Sequence, residues 1–389
     1  MNFHPRKRKI NDTYAEINLK ALKKNFDTIK RHANSGKNND VKICAIVKAN
    51  AYGHGMKEVG KALSEYGADY LGTADYSESI ILNDHLKKYS KKNIPVLCLG
   101  NLTGSEKFLD DIISRNITIT IADVTGAKAL NRYAKSRNKK FNAQIQVDSG
   151  INRIGILLKD AYESVQTINS LGNLNIRGIY SHFATSEIPD HPYAMKQLSN
   201  FKSLVKELEQ NVTKFELKHI CNTGGILNYN DPFFNMVRPG ISLYGYYPDR
   251  KKVVKDIGIK PVMTLKSKVK FIKELEKSQS ISYGRKYFTK KRTRIASVSI
   301  GYGDGYSRLL TNKSGVFIRG KLYKTVGTVC MDWIMAEIGN NSNININDEV
   351  ILFGKEYPAD NLSDLIGTIP YEITCNISSR VQRIYTEEG

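Results

Sequence analysis

A lysine follows a short apolar run near the start of the chain. The run 41–47 has the length and the β-branched content of a buried strand, and Lys48 stands where that strand should end. The residues after Lys48 in the segment AIVKANAYGHG (45–55) are small or turn-forming. An amine buried at such a strand end is costly unless it is paired, neutralised or used covalently, and a desolvated free amine suits Schiff-base chemistry. Taken alone, the pattern is more typical of a lysine whose charge reaches solvent.

Other polar residues that could take part in chemistry lie next to further strand-like runs. They are Tyr52, Asp148, Arg153, His182, Asn222 and Thr223, while Arg238 and Gly240 flank the predicted eighth strand. Each one alone is better explained as a loop cap or a satisfied core residue. Their joint position in the loops after successive strands is harder to explain in that way, because such loops meet at one face of a parallel barrel.

Strand-like and helical patterns alternate along the first 250 residues. The predicted strands are 14–19, 41–47, 70–73, 94–99, 117–121, 143–147, 176–181, 217–221 and 241–244. Helical patterns separate them, for example over 55–66, 104–115, 125–135 and 193–209. About eight βα units predict a (β/α)₈ barrel. A doubly wound open sheet is the alternative, but no glycine-rich fingerprint follows the first strand.

The pattern changes near residue 250. Strand-like runs with short turns follow over 262–274, 294–300, 315–318, 322–329, 334–338 and 349–353, with one brief helical pattern at 361–366. We therefore predict three parts: a basic flexible tail over 1–13, a barrel domain over 14–250 and an all-β domain over 251–389. The strand at 14–19 is an alternative member of the β domain. The glycine-rich run 301–306 has the wrong spacing for a phosphate loop and predicts a tight turn.

Composition narrows the function classes. The net charge of +21 comes from 59 Lys+Arg against 38 Asp+Glu, but the basic residues are dispersed and only Arg6–Lys9 is dense, so we expect no dedicated nucleic-acid binding. Five well-separated cysteines predict buried thiols in a reducing, cytoplasmic setting, without a disulfide framework or a metal site. No apolar run is long enough to span a membrane, and the basic N-terminus lacks the apolar stretch of a signal peptide.

Nine segments in order resemble the signatures of one family. They are AIVKANAYGHG (45–55), VDSGINRIG (147–155), SHFATSE (181–187), NTGG (222–225), VRPGISLYG (237–245), ISYGRKY (281–287), GYGDGY (301–306), CMDW (330–333) and IPYEITC (369–375). In these segments the chain resembles the alanine racemases, which are pyridoxal-phosphate-dependent amino-acid racemases of fold type III. The resemblance covers nearly the whole chain after the first dozen residues.

The resemblance implies a cofactor site. Lys48 would hold pyridoxal 5'-phosphate as an internal aldimine, and Arg238 would face the pyridine nitrogen with His182 bound to it. A guanidinium does not give up its proton at ordinary pH, so that ring nitrogen would stay unprotonated. The remaining cofactor-binding residues that it implies, mostly around the phosphate, are Tyr52, Asn222, Thr223, Gly240, Ile241 and Tyr371.

The same resemblance implies a reaction. Racemisation needs a base on each face of Cα, and these would be Lys48 and Tyr283. In the family the tyrosine comes from the partner subunit, so the resemblance implies a homodimer with shared active sites. Arg153 and the backbone N–H of Met331 would hold the substrate carboxylate. Tyr302 and Tyr371 would narrow the entrance and favour alanine, with the D-alanine product supplying cell-wall peptidoglycan.

Some positions depart from the family pattern. Gln146 stands where many members have a carbamylated lysine that pairs with the carboxylate arginine. A neutral amide can hydrogen-bond Arg153 but cannot neutralise it, which leaves room for another anchor or a bound anion. Trp333 replaces a usual glutamine, and Ile151 and Asn152 replace commoner residues.

Three alternatives remain open. The first is a racemase of another small amino acid such as serine. A fold-related pyridoxal-phosphate decarboxylase would present an acidic residue, where this chain has Arg238, to the ring nitrogen. A non-catalytic pyridoxal-phosphate-binding module would lack the β domain with Tyr283.

Overall fold

The computed structural model describes residues 11–35, 40–101, 106–252, 256–340 and 342–387. The first ten residues of the predicted basic tail lie outside this set, and so does the start of the helix predicted over 104–115. The chain divides into two compact units. One spans Leu22–Ile259, and the other combines the residues up to Ala21 with those from Lys260 onward.

The first unit contains the eight parallel strands of a (β/α)₈ barrel. They are β2 (Lys42–Ile46), β3 (Tyr70–Thr73), β4 (Val96–Cys98), β5 (Ile119–Ile121), β6 (Phe141–Asp148), β8 (Leu174–Tyr180), β9 (Leu217–His219) and β10 (Met236–Val237). Strand β10 pairs with β2, and a parallel bridge from Leu97 to Thr118 joins β4 to β5. The backbone bond from Arg238 N to Cys221 O (2.9 Å) completes the ring between the ends of β9 and β10. A short strand β7 (Ile156–Leu157) pairs with the end of β6.

Helical segments connect these strands, and the longer helices bury an apolar face. They are α1 (Leu19–Ala33), α2 (Lys48–Tyr52), α3 (Met56–Tyr66), α4 (Tyr76–Tyr89), α5 (Leu109–Ser114), α6 (Val124–Ser136), α7 (Ala161–Asn169), α8 (Pro192–Asn211) and α9 (Thr223–Asn228). By contrast, α2 is a five-residue segment with left-handed backbone. Two of them start at an aspartate whose carboxylate accepts a backbone N–H: Asp75 caps α4 and Asp123 caps α6. Within the described residues, no helix is both long and apolar enough to cross a membrane.

The prediction of the eighth strand was wrong in position. The strand is Met236–Val237, and the predicted run Ile241–Tyr244 forms a 3₁₀ turn. Pro239 and Gly240 separate the two segments, and the proline has no N–H for a strand ladder. The correction puts Arg238 and Gly240 after the last strand, on the same side as the other strand-end residues.

The second unit is built on an antiparallel β-sheet. Its strands are β1 (Tyr14–Asn18), β11 (Met263–Leu275), β12 (Thr293–Val298), β13 (Gly315–Ile318), β14 (Lys321–Lys324), β15 (Ile334–Glu337), β16 (Glu349–Phe353) and β17 (Gln382–Thr386). The long strand β11 is central, since it pairs with β1, β12 and β16. Strand β1 therefore belongs to this sheet, and it pairs in parallel with β17 on its other side.

Two short helices and several 3₁₀ turns complete the structure. The helices α10 (Ala359–Ile366) and α11 (Pro370–Cys375) follow β16. The 3₁₀ turns are Glu106–Phe108, Leu158–Asp160, Ile241–Tyr244, Arg250–Lys252, Tyr283–Arg285, Tyr302–Asp304 and Arg308–Leu310. The turn at 302–304 lies inside the glycine-rich run 301–306 that predicted a tight turn.

Candidate active site

Lys48 opens a left-handed turn at the end of β2. The four residues Ala49, Asn50, Ala51 and Tyr52 have φ between 51° and 55°, a conformation that costs a non-glycine residue roughly 1–2 kcal/mol. Backbone bonds hold the turn, from Ala51 N to Val47 O (2.7 Å) and from Gly53 N to Ala49 O (3.0 Å). The side chain of Asn50 accepts from Met56 N (2.9 Å). These bonds hold the strained turn in place, and the turn sets the directions in which the side chains of Lys48 and Tyr52 leave the backbone.

Tyr52, Thr223 and Gly240 form a cradle with hydroxyl groups. The ring of Tyr52 stacks on Tyr244 at 4.9 Å, and a Cβ built on Gly240 would lie 2.6 Å from the Tyr52 hydroxyl oxygen. Gly240 N donates to Thr223 Oγ1 (3.0 Å), which lies 3.1 Å from Ser242 Oγ. Hydroxyls beside a backbone turn are the groups that bind a phosphate. Ser242 is a member that the sequence analysis missed.

Arg238 is 2% exposed and directly follows β10. Its Nη2 donates to Ser181 O (2.6 Å) and Ile220 O (3.1 Å) and lies 3.2 Å from His182 Nδ1. Its Nη1 donates to His219 Nδ1, and the guanidinium carbon lies 5.1 Å from the ring centre of Tyr180. The predicted Arg238–His182 contact is present in the structure, and His219, Tyr180 and Ser181 are additional partners.

The two histidines around Arg238 are neutral. Burial, with the positive charges of Arg238, Arg153 and Lys48, holds the pKa of His182 well below its usual value. Burial and Arg238 have the same effect on the pKa of His219. Burial also lowers the pKa of Arg238, yet a guanidinium stays protonated at any ordinary pH. The charges of Lys48, Arg153 and Arg238 therefore all reach His182.

Asn222 and Ser186 support the loop next to His182. Asn222 Oδ1 accepts from Gly225 N (2.9 Å) and from Ser186 Oγ (2.8 Å), and Asn222 Nδ2 lies 3.4 Å from His182 Nε2. A Cβ on Gly224 would lie 2.6 Å from Ser186 Oγ. Asn222 is thus a loop-positioning residue as well as a neighbour of His182.

Asp148 shapes the loop that presents Arg153. Its Oδ1 accepts from Gly150 N (2.8 Å) and Asn152 N (3.1 Å), and its Oδ2 accepts from Arg153 N (3.0 Å). Asn152 has a φ of 56°, which asparagine tolerates better than most residues. The Arg153 side chain is exposed at the strand end. Gln146, two residues before Asp148, is hydrogen-bonded to Tyr180 Oη (3.0 Å).

In the second unit, the predicted site residues Tyr302 and Met331 lie on loops that are bonded to each other. Tyr302 N donates to Cys330 O (3.0 Å), and Gly303 N donates to Met331 O (2.9 Å). Arg380 ties the same loops together, because it pairs with Asp332 (2.7 Å) and Asp304 (3.5 Å). Loop positions that are locked in this way can hold a substrate group at a fixed place.

Tyr283 lies in the same unit and is 73% exposed. Its carbonyl accepts from Thr328 Oγ1 (2.6 Å), and the neighbouring Ser282 Oγ donates to Thr328 O (2.7 Å). The backbone around Tyr283 is therefore fixed while its side chain is free to meet another molecule. Tyr371 lies in α11 and is partly buried. The roles predicted for Tyr283, Tyr302, Met331 and Tyr371 stay predictions.

Fold and site together define a (β/α)₈ barrel protein that carries a lysine, a hydroxyl-lined cradle and a buried arginine at the carboxyl ends of its strands. The sequence profile of the alanine racemase N-terminal domain matches residues 17–248, and that of the alanine racemase C-terminal domain matches residues 262–385. The chain belongs to the alanine racemase family.

Individual relatives agree over nearly the full length. The chain is 39% identical to alanine racemase 2 of Caldanaerobacter subterraneus subsp. tengcongensis, over 98% of this chain and 96% of that protein. It is similar to the solved alanine racemase of Clostridium difficile, with 38% identity, a TM-score of 0.89 and 97% of each chain covered. It also resembles the alanine racemase of Bartonella henselae, solved with covalently bound pyridoxal phosphate, with 27% identity and a TM-score of 0.84 over 97% of this chain and 100% of that one.

Proposed function

We propose that this protein is a pyridoxal-phosphate-dependent alanine racemase that interconverts L-alanine and D-alanine. The observation that carries the proposal is the buried Arg238, which contacts two neutral histidines. It lies at the carboxyl ends of the barrel strands, as Lys48 does. An arginine so placed serves a partner that needs a permanent hydrogen-bond donor, since it cannot accept a proton or give one up.

The residues present fit pyridoxal phosphate. The cradle of Tyr52, Thr223 and Gly240 offers two hydroxyl groups to the phosphate. Because Gly240 has no Cβ, the space beside the Tyr52 hydroxyl stays open for it. The N-terminus of the 241–244 turn adds backbone N–H groups beside it. When bound, the cofactor supplies an electron sink for the pair left by the departing Cα proton.

Arg238 separates this proposal from decarboxylase chemistry. Its Nε–H makes no hydrogen bond to any residue that the structure describes, so this donor is available to the cofactor's ring nitrogen. A donor that keeps its proton leaves that nitrogen unprotonated and the sink shallow. A shallow sink favours rapid return of a proton to Cα, as racemisation requires, over reactions that need a long-lived carbanion.

Two bases on opposite faces of Cα complete the reaction. Lys48 Nζ takes or returns the proton on one face, and Tyr283 Oη acts on the other. Tyr283 exposes its side chain in a single copy of the chain, as do Met331 (52%) and Trp333. We infer that a second copy covers this surface and receives Tyr283 in its active site, so that the enzyme is a homodimer.

Substrate selection follows from the remaining residues. Arg153 and the Met331 N–H bind the carboxylate, while Tyr302 and Tyr371 leave room for a methyl group. Forcing a longer chain past them costs about 1–3 kcal/mol, which is roughly 5- to 150-fold in rate. Serine adds one hydroxyl, which an apolar pocket rejects weakly. We expect alanine first, serine a detectable second, and lysine a negligible substrate.

The setting follows from the same activity. We propose that the protein acts in the cytoplasm and that its D-alanine enters peptidoglycan. Its working parts are a barrel domain over 14–250 and a β domain over 251–389, with the 14–19 strand in the sheet of the latter. The dispersed basic charge gives no reason to propose a nucleic-acid partner.

Spectroscopy and a chiral assay test the proposal together. The purified protein should show the visible band of lysine-bound pyridoxal phosphate, and borohydride should fix the cofactor to Lys48. L-alanine should be converted into a racemic mixture. A peptide map with the label on Lys42 or Lys57, or a labelled protein without racemase activity, would contradict the assignment.

A further inference from the structure

The buried side of Arg238 continues beyond His219 to one more side chain. Gln144 lies on β6, is fully buried, and its Oε1 is 2.6 Å from His219 Nε2. His219 Nδ1 in turn accepts from Arg238 Nη1. Three buried side chains from three strand ends or strands thus form one chain of hydrogen bonds.

The direction of every bond in this chain is determined. Arg238 has donors and no acceptor, so His219 Nδ1 must be the acceptor. A neutral imidazole with an accepting Nδ1 carries its hydrogen on Nε2, so Nε2 donates. The group facing Nε2 must then be the carbonyl oxygen of Gln144.

Gln144 is poorly explained as a residue kept for stability. Its Nε2 is buried without a hydrogen-bond partner among the residues that the structure describes. A buried amide with one half unsatisfied costs free energy that an apolar side chain of the same length would avoid. The useful atom of Gln144 is therefore its oxygen, and the useful contact is the one to His219.

We propose that Gln144 is a positioning residue: its carbonyl oxygen holds His219 as the Nε2–H tautomer and makes Nδ1 the acceptor that orients Arg238 towards the cofactor. The proposal rests on the proposed function for its catalytic consequence, but the tautomer is a property of the protein itself. A neutral amide suits this position, because it ends the chain without adding a charge that could bring a second proton to His219.

The groups that face His219 support a fixed protonation state. Arg238 approaches Nδ1 with its positive charge, and the ring of Tyr180 stacks on the imidazole at 4.9 Å with 10° between the planes. Tyr180 is itself buried and neutral, since burial raises its pKa. Among the described residues, no carboxylate is hydrogen-bonded to Arg238, His219 or Gln144. A carboxylate at position 144 would change that balance.

Nitrogen-15 NMR of the histidine-labelled apoprotein tests the tautomer directly. In the unchanged protein, His219 should show a protonated Nε2, an unprotonated Nδ1 and a slowly exchanging Nε2–H at low field, all constant from about pH 5 to 9. In Gln144→Glu, the added carboxylate should make the imidazole bind a second proton within that range. In Gln144→Met, the Nε2–H signal should move upfield and exchange faster.

Gln146→Met is the matched control. It removes a buried glutamine from the same strand whose hydrogen bond goes to Tyr180 and not to His219, and it should leave the His219 tautomer unchanged. The melting temperature of Gln144→Met should lie within a few degrees of that of the unchanged protein. The reason is that one buried amide nitrogen without a partner is exchanged for one imidazole N–H without a partner. The kcat of this variant should nevertheless fall about tenfold, with KM for alanine nearly unchanged.

The outcomes separate the two proposals. An Nδ1–H tautomer, or His219 signals unaffected by Gln144→Met, would overturn the positioning role even in an active racemase. The expected NMR result in a protein that does not racemise alanine would support the positioning role and overturn the proposed function.

Discussion

The hydroxyl of Tyr52 borders the space that a side chain at position 240 would fill, and Gly240 leaves that space empty. A Cβ at position 240 would be 2.6 Å from that oxygen and 3.2 Å from the ring carbon that carries it. Tyr52 cannot retreat easily, because its ring is stacked on Tyr244 and its backbone is in the left-handed turn. The glycine therefore keeps open the space in which the proposed phosphate site is formed.

Gly240→Ala should weaken cofactor binding. The added methyl group either displaces the Tyr52 hydroxyl or fills the cradle, so we expect at least a tenfold rise in the Kd for pyridoxal phosphate, or about 1.4 kcal/mol. Titration of the apoprotein, followed by absorbance, measures this. Gly172→Ala is the control, because a Cβ there meets no atom within 4 Å, and it should leave the Kd unchanged. Equal affinities in the two variants would contradict the cradle.

Ala49→Gly should stabilise the protein. Ala49 has φ 51° and ψ 51° and is exposed, so glycine relieves backbone strain there without leaving a cavity. We expect a gain of about 0.5–1 kcal/mol in the free energy of unfolding, since glycine enters the left-handed region at no steric cost.

Ala129→Gly should lower the free energy of unfolding, in contrast to Ala49→Gly. Ala129 is an exposed residue inside the right-handed helix α6, where glycine should cost about 1 kcal/mol. Urea unfolding of both variants checks the pair. A loss of stability in Ala49→Gly would show that the left-handed turn carries no strain that glycine can relieve.

Stability should fall as the pH drops below the usual histidine range. The folded-state pKa values of His182 and His219 lie well below the unfolded value, so the unfolded chain binds more protons once the pH falls under about 6.5. The free energy of unfolding should then decrease by about 1.4 kcal/mol per pH unit for each histidine. The window from about pH 6.5 to 5 lies above the carboxylate range, and lowered pKa values at Asp84 and Asp348 place those groups lower still.

Urea midpoints measured across this window check the slope. A double variant, His182→Gln with His219→Gln, should lose the part of the slope that the two residues supply. His85, whose pKa is also lowered by burial, leaves a smaller residual dependence in both proteins. A flat profile in the unchanged protein would contradict the neutral state of the two buried histidines.

Most of the barrel could be predicted from the sequence because its strands are buried on both faces and are separated by clear helical patterns. The strand Tyr70–Thr73 was predicted to the residue. Strand β10 was missed because two residues give no periodic signal, whereas the apolar run after Pro239–Gly240 imitates a strand. Strand β17 was missed because Gln382–Thr386 is half-buried throughout and shows no alternation.

The candidate site was only partly predictable for a related reason. Lys48, Tyr52, Arg238 and His182 stand at strand ends, where polar residues attract attention. Tyr180, Gln144 and His219 lie within strands, and their side chains meet only when the barrel closes. Their polar character inside apolar runs was the available signal. The left-handed turn could not be predicted, because alanine and tyrosine give no local preference for positive φ.

Subunit exchange tests whether Tyr283 serves the active site of another copy. Lys48→Ala and Tyr283→Phe should each be nearly inactive, because each lacks one of the two bases. A mixed dimer contains one site with the intact Lys48 of one subunit and the intact Tyr283 of its partner. Random exchange makes half of the dimers mixed, and half of their sites are complete, so about a quarter of the sites should recover activity.

Lys48→Ala mixed with Arg238→Gln is the matched control: both changes lie in the barrel unit, so no combination of these subunits restores a complete barrel site. Chiral analysis of alanine after exchange, verified by mass-tagged subunits, measures the recovery. Activity in the first mixture and none in the second is the expected result. If exchange is complete and neither mixture is active, Tyr283 does not act across the subunit boundary.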